Sequence, residues 1–345
     1  MTDRAGAAGH ATGSKRRGRR AWQDGVSRHG ARGAEVRAGP TRRAAVSYPA
    51  HTTSMDEMSR YTLREAPLGV ALATPDGRTV FHYLTEVPAN SGLAANSACC
   101  FYPLRTPSGQ DVVEMAPADH PHHRGVFLTW HSISSGRCRA DFWGWDEFAP
   151  TRDRVIVNRE IETTRADADR AELRICNDWV ASGEPMISEE LTVGVAEARS
   201  AYVIDLAYEL TPTIDVTLDR SAFGGLCAKC RKDGDAAYRD SRGVVTLDDP
   251  HYLTPDTGWP SAPWYSYAIA LNDGSRTELA VIDCPSNPPT LWHNLAPISM
   301  MNPCIVAPGG VALGGGQTLR LRYRLVVADG DLEPAWVDEL ARDEW

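Results

Sequence analysis

The sequence predicts an all-β protein, a large antiparallel β-sandwich with one short C-terminal helix. Apolar and polar residues alternate through most of the patterned segments, the period of a half-buried strand. Helical periodicity is confined to the last dozen residues, and no helical segment separates the strands as a parallel sheet would require. The chain has 345 residues and a 42% hydrophobic content, enough for a sizeable core.

Residues 1–58 read differently. Residues 1–54 carry eleven Lys/Arg against three acids, are rich in Gly, Ala, Arg and Ser, and lack apolar periodicity. Such a composition cannot bury enough surface to fold, so a disordered basic extension is expected there. Lys15-Arg16-Arg17-Gly18-Arg19-Arg20 has the look of a twin-arginine export signal or a nucleic-acid tail, but it is followed by Ala21-Trp22-Gln23-Asp24 and no apolar run, so a non-functional extension is expected. Met55 and Met58 stand just ahead of the first patterned segment, and a start at one of them is expected. Residues 59–345 are read as a single sandwich domain.

Within that domain Val70-Ala71-Leu72, Thr79 to Tyr83 and Val126 to Trp130 are short strands bounded by Gly, Pro, Asp or Asn. Arg154 to Thr164, Ala171 to Val180, Met186 to Val195 and Ala201 to Thr211 are longer. In the last, Tyr202, Ile204, Leu206 and Tyr208 face one way and Val203, Asp205, Ala207 and Glu209 the other. Leu319, Leu321, Tyr323 and Leu325 alternate with Arg320, Arg322 and Arg324, giving one apolar and one cationic face. Pro334, Trp336, Val337, Leu340 and Ala341 place the helix over Glu333 to Arg342.

The formal charge of -9 argues against nucleic acid as the main partner, and no apolar stretch approaches the roughly 18 residues of a membrane span. Eight cysteines are too sparse for a disulfide scaffold, so they are expected to be reduced and the protein cytoplasmic. Cys227-Ala228-Lys229-Cys230 is a lone CxxC, read as ordinary thiols. Gly224-Gly225-Leu226 leading to Lys229 and Arg231 is read as a β-bulge with solvated charges, the commoner reason for such a sequence than cations presented to an anionic substrate.

The densest chemistry lies in Asp119-His120-Pro121-His122-His123-Arg124-Gly125, with His131 one strand's length later. Pro121 fixes its own φ and extends His120, so the run reads as a rigid turn entering a strand. One imidazole titrating near ~6.5, working with a carboxylate, suits proton transfer at a sugar carbon or hemiacetal. His122 and His123 are adjacent, and on a strand they would face opposite sides, so only one should touch substrate. His120, stiffened by its proline, is assigned a structural role. As metal ligands, His120 and His122, or His122 and His123 with His131, could join Asp119 or Asp141, although His122 and His123 should not both bind one ion unless the turn distorts; the alternative metal set is His122, His131 and Asp119, a divalent metal is compatible, and no cofactor is required.

Around this run lie Arg105, Asp141-Phe142-Trp143-Gly144-Trp145, and a Pro-rich loop holding Asn287 and Trp292-His293. Aromatic rings beside carboxylates and arginines commonly hold sugars, the ring covering the apolar face of the pyranose.

Arg105-Thr106-Pro107-Ser108-Gly109, the histidine run, Asp141-Phe142-Trp143, the Asn287-Pro288 loop and Leu319 to Asp329 together resemble the bacterial family labelled methane oxygenase PmoA-like, of unknown function, over most of residues 65–330. The chain departs from that pattern around Trp292 to Pro303. The oxygenase subunit behind the label is an integral membrane protein, whereas the resemblance implies a soluble supersandwich like galactose mutarotase-like proteins, and a carbohydrate role.

The expectation is therefore a sugar-active lyase, epimerase or hydrolase acting on a saccharide or oxidised sugar. His122 or His123 would be the acid/base, with His131 beside them. Asp141 would orient a histidine, and Arg105 and Arg124 would bind hydroxyls or carboxylates. Trp130 and Trp143 would form a stacking floor, with Asn287 and His293 on the far wall. The alternatives are a metal-dependent enzyme and a non-catalytic carbohydrate-binding or sensor protein.

Overall fold

The computed structural model describes residues 60–246 and 259–343, so the extension expected over residues 1–58 lies outside the described residues. Among the described residues every strand pairing is antiparallel, in a seven-stranded, a nine-stranded and two smaller sheets. The long alternating segments form the middle and one edge of the nine-stranded sheet, Leu319–Asp329, Ala201–Pro212, Glu184–Ala198, Arg170–Ala181 and Arg154–Ala166 being neighbours in that order. Leu206 opposes Tyr323 and Tyr208 opposes Leu321 across one pairing, so two strands present a joint apolar face.

That face meets the inner face of the seven-stranded sheet. Phe81, Phe101, Val126 and Leu128 from the smaller sheet share one core with Trp179, Leu191, Leu206 and Tyr323 from the larger. Trp130 packs on Trp179 across the interface with ring centroids 5.8 Å apart. Each such side chain withdrawn from water contributes about 1.5–3 kcal/mol, which drives the sandwich together. Some polar groups enter this core: the Glu189 carboxylate accepts from Asn177 Nδ2 at 2.8 Å and Trp179 Nε1 at 2.7 Å. Burial pushes the Glu189 carboxyl up to about 7 despite those bonds.

The helix spans Pro334–Arg342 and covers part of the outer face of the nine-stranded sheet, burying Trp336, Val337 and Ala341 against Trp264, Ile282 and Val326. Its presence corrects the expected cationic stripe. Arg320 and Arg322 are exposed, but Arg324 is buried, its Nε 2.5 Å from Asp205 Oδ1 and its Nη1 donating to Leu340 O at 2.7 Å. The guanidinium thus satisfies a terminal carbonyl of the helix that hides it. No helix among the described residues is long and apolar enough to cross a membrane.

Alternation on the seven-stranded sheet sets up a second, smaller cluster. In Val126–Thr129 and Gly225–Lys229 the side chains of Val126, Leu128, Leu226 and Ala228 enter the sandwich, while Phe127 and Cys227 project outward. Phe127 and Cys227 gather with Trp143, Phe223, Ile298 and Met300 on that outer face. This apolar pad is the floor on which the histidine run rests. Cys227 lies in the pad and Cys230 in the sandwich core, so the CxxC pair faces two ways; burial pushes the Cys230 thiol up to about 12. All eight cysteines are free.

Candidate functional site

The histidine run is a pair of tight turns. His120 N donates to Pro117 O, His123 N to His120 O, and Ala116 N to His123 O, at 2.8–3.0 Å. Gly125 ends it with φ +55, and a Cβ there would lie 2.1 Å from Phe101 O, so the strand entry demands glycine. Because the backbone turns at His122 and His123, strand alternation does not apply to them. Both line one pocket, their rings edge to face at 4.6 Å, which corrects the expectation that only one does. His120 joins them in the lining, stacked on His123 at 5.0 Å.

The pocket has a volume of ≈ 40 Å³. Trp143 and Trp145 form one wall, Trp145 stacking on His122 at 5.5 Å. Phe223 and His293 form another, with Leu295, Ile298 and Met300 closing the far side. His131 sits just beyond, stacked on Phe223 at 4.3 Å, with Nε2 3.1 Å from Ser221 Oγ. Phe148, 37% exposed, touches the His131 and Trp145 rings edge-on and forms an aromatic rim.

Burial above all, with neighbouring imidazoles and Arg124, lowers the His122 pKa to about 4. Burial likewise brings His131 down to about 4 and puts His123 well below the usual imidazole range. These rings are therefore neutral at pH 7. His123 Nδ1 and Trp143 Nε1 are buried without hydrogen-bond partners, as is His131 Nδ1.

Several expected site residues lie elsewhere. Arg124 is fully buried, its guanidinium donating to the carbonyls of Ala98, His122, Phe142 and Trp143 at 2.9–3.2 Å. With four of its five N–H donors spent on carbonyls, it holds the walls together and does not line the pocket. Asp141 orients no histidine; its oxygens accept from the backbone N–H groups of Gly144, Trp145 and Asp146 at 2.8–2.9 Å, fixing the Trp143–Trp145 turn. Trp130 belongs to the sandwich core beneath the pad. Arg105 pairs with Asp111 at 2.8 Å in a separate polar cleft, and Asn287 Nδ2 bonds Asp283 Oδ1 and Arg322 O at 2.7 Å and does not line the pocket. His293, Trp143, His122 and His123 are the expected residues that line the pocket.

Asp119 is held by Lys232, both oxygens at 3.0 Å from Nζ, and among the described residues no three His, Cys, Asp or Glu side chains converge to hold a metal ion. The set His122, His131 and Asp119 is thus not assembled. Lys229 is not solvated: it is fully buried, its Nζ donating to Ile298 O and lying 2.5 Å from Glu114 Oε1, while Arg231 pairs with Asp233 at 2.6 Å. Phe223, Leu295, Ile298 and Met300 were not foreseen as lining, and Trp145 was read only as one of the aromatic set after Asp141. Trp145 could be reached from the Trp-Gly-Trp spacing, but a single Phe or Met in apolar surroundings carries no periodic signal.

Solved structures similar to this chain include the X-ray structure of a galactose mutarotase related enzyme from Lactobacillus acidophilus, at 5% identity and TM-score 0.34, covering 79% of this chain and 100% of that one. The galactosidase domain of an alpha-galactosidase-sucrose kinase is similar at 11% identity and TM-score 0.33, covering 79% of this chain and 41% of that chain. A polysaccharide lyase is similar at 11% identity and TM-score 0.28, covering 71% and 32%. No curated protein matches the chain. Residues 72–342 match a family described as of unknown function (DUF6807), a description without reference to the methane oxygenase PmoA, and the chain belongs to that family.

Proposed function

We propose that the protein is a sugar-active enzyme, a lyase, epimerase or hydrolase, in which the pocket imidazoles transfer protons. The observation that carries the reading is the convergence of His120, His122 and His123 on an aromatic-walled pocket while His123 Nδ1 lacks a partner inside the fold. Evolved interiors leave few buried polar atoms unsatisfied, and those at a pocket point to a ligand. At neutral pH the imidazoles are unprotonated, so His122 and His123 are available as hydrogen-bond acceptors and bases. Trp145 and Phe148 at the rim supply apolar ring faces of the kind that cover a pyranose.

In this reading the partner is a small carbohydrate, no cofactor is required, and the protein works in the cytoplasm without nucleic acid or membrane. The test is turnover of a panel of glycosides, free sugars and sugar acids followed by NMR, with His122→Ala and His123→Ala compared with the unaltered protein. Loss of general acid/base help should cost on the order of 10²–10⁴ in rate. Unchanged turnover in both variants overturns the assignment of the bases, and saturable binding without product identifies a sensor instead of an enzyme.

A further inference from the structure

We infer that the pocket receives the carboxylate of an oxidised sugar, with the sugar ring outside against the aromatic rim. The inference rests on the sugar-enzyme reading and names the substrate class within it.

The first support is the charge of the walls. The lining contains three histidines from one turn and His293 opposite, but no carboxylate. The acids nearby are already engaged: Asp119 by Lys232, Glu114 by Lys229, and Asp141 by three backbone N–H groups. Beneath the pocket lie two buried cations, Lys229 and Arg124. Lys229 is paired with Glu114, whereas Arg124 hydrogen-bonds only carbonyls, with Asp141 the acid whose charge acts on it from a distance. A site with a buried guanidinium behind it and no anion in its walls favours a negative ligand over a neutral one.

The second support is an orphaned donor. The indole Nε1 of Trp143 can only donate, is buried in a pocket wall, and has no acceptor within the protein. Leaving a buried donor unpaired costs about as much as a lost hydrogen bond, and an oxyanion is the ligand group that would satisfy it best. His123 Nδ1 is also unpartnered on the adjoining ring and donates beside the indole in the tautomer that carries its proton, the Trp143 and His123 centroids being 5.7 Å apart.

The third is size. The space against the histidines is narrow, ≈ 40 Å³, and suits a small polar group such as a carboxylate better than a whole sugar ring. The ring must then sit outside, where Trp145 and the exposed Phe148 meet edge to face at 5.5 Å.

The experiment is calorimetric titration of the full chain with D-galacturonate and D-glucuronate, beside D-galactose, D-glucose and inorganic phosphate. The expected result is binding of at least one uronate about tenfold or more tighter than its neutral counterpart. Trp143→Phe, which keeps an aromatic ring and removes the N–H, should weaken uronate binding about tenfold. Because Trp143 is core as well as wall, His122→Asn serves as a second variant and should weaken the acid more than the neutral sugar. Equal affinity for a uronate and its neutral counterpart overturns the inference and leaves the enzyme reading standing. Phosphate binding as tightly as the uronates overturns the sugar-acid assignment, and absence of binding by every sugar overturns both readings.

Discussion

The Arg124 guanidinium lies 4.5 Å from the centroid of the Phe127 ring, sandwiching the strand's outward aromatic residue beneath the histidine turn. The same guanidinium ties the carbonyls of Ala98, His122, Phe142 and Trp143, so one side chain fastens two pocket walls to the pad below. Arg124→Lys keeps the charge but has a single nitrogen where four carbonyls and a ring face need a planar fork. Denaturant unfolding should show a loss of roughly 3 kcal/mol or more, the usual cost of breaking a buried polar network. A change within 0.5 kcal/mol would mean that the carbonyls are satisfied by other means.

Acid should destabilise the protein through its buried imidazoles. His122 and His131 have folded pKa values lowered to about 4 from an unfolded value of ~6.5. Their stabilising contribution is present above pH ~6.5 and lost as pH falls through about 4, up to about 3 kcal/mol each. Glu189 runs oppositely: its folded pKa is raised to about 7, so its contribution is present below ~4.5 and lost as pH rises through 7. Unfolding free energy measured from pH 4 to 7.5 should rise with pH to a maximum near neutrality, and His131→Phe should flatten the acid limb by about one proton. An unaltered slope in that variant would mean His131 titrates normally.

Gly125→Ala should be more damaging than an ordinary loop substitution. Its φ of +55 disfavours an L side chain, and the new Cβ would meet Phe101 O at 2.1 Å. Relief requires moving the strand entry that carries His122, His123 and Arg124. Thermal unfolding should record a drop equivalent to about 3 kcal/mol or more, with any measured turnover falling alongside it. Gly109→Ala is the control, since a Cβ there meets nothing within 4 Å although φ is +93. It should lose only the backbone strain, about 1 kcal/mol.

Asp141 predicts a split between stability and chemistry. Its carboxylate is spent on three N–H groups, so Asp141→Asn should loosen the Trp143–Trp145 turn and cost about 1–3 kcal/mol of stability. If Asp141 merely positions the tryptophans, substrate affinity should suffer more than the rate of the bound complex. A large fall in kcat at unchanged KM would restore it to a direct role.

Much of the fold was legible because strand alternation is a local property. The segment from Ala201 announces its faces through Tyr202, Ile204, Leu206 and Tyr208, and all four are buried as expected. Pro334 and Trp336 mark the helix in the same way. The residue types of the site were legible too, as the density of imidazoles in seven positions has no common packing explanation. Roles were less so. Arg124 and Asp141 looked available for a ligand because a sequence shows a side chain's charge but not the backbone groups that will consume it.

By itself, then, the sequence determined an antiparallel β protein with a terminal helix and a histidine turn entering a strand, since these follow from period, propensity and turn chemistry within a few residues. The tertiary structure alone decided which side chains meet. Phe223, Ile298 and Met300 come from segments about 100–180 residues beyond the histidines, and only the sheet pairings that set Gly225–Lys229 beside Val126–Thr129 and Met300–Met301 bring them to one pocket. The turn at residues 120–123 likewise overrode alternation, because its hydrogen bonds close within three residues and release His122 and His123 from the opposite faces a strand would have imposed.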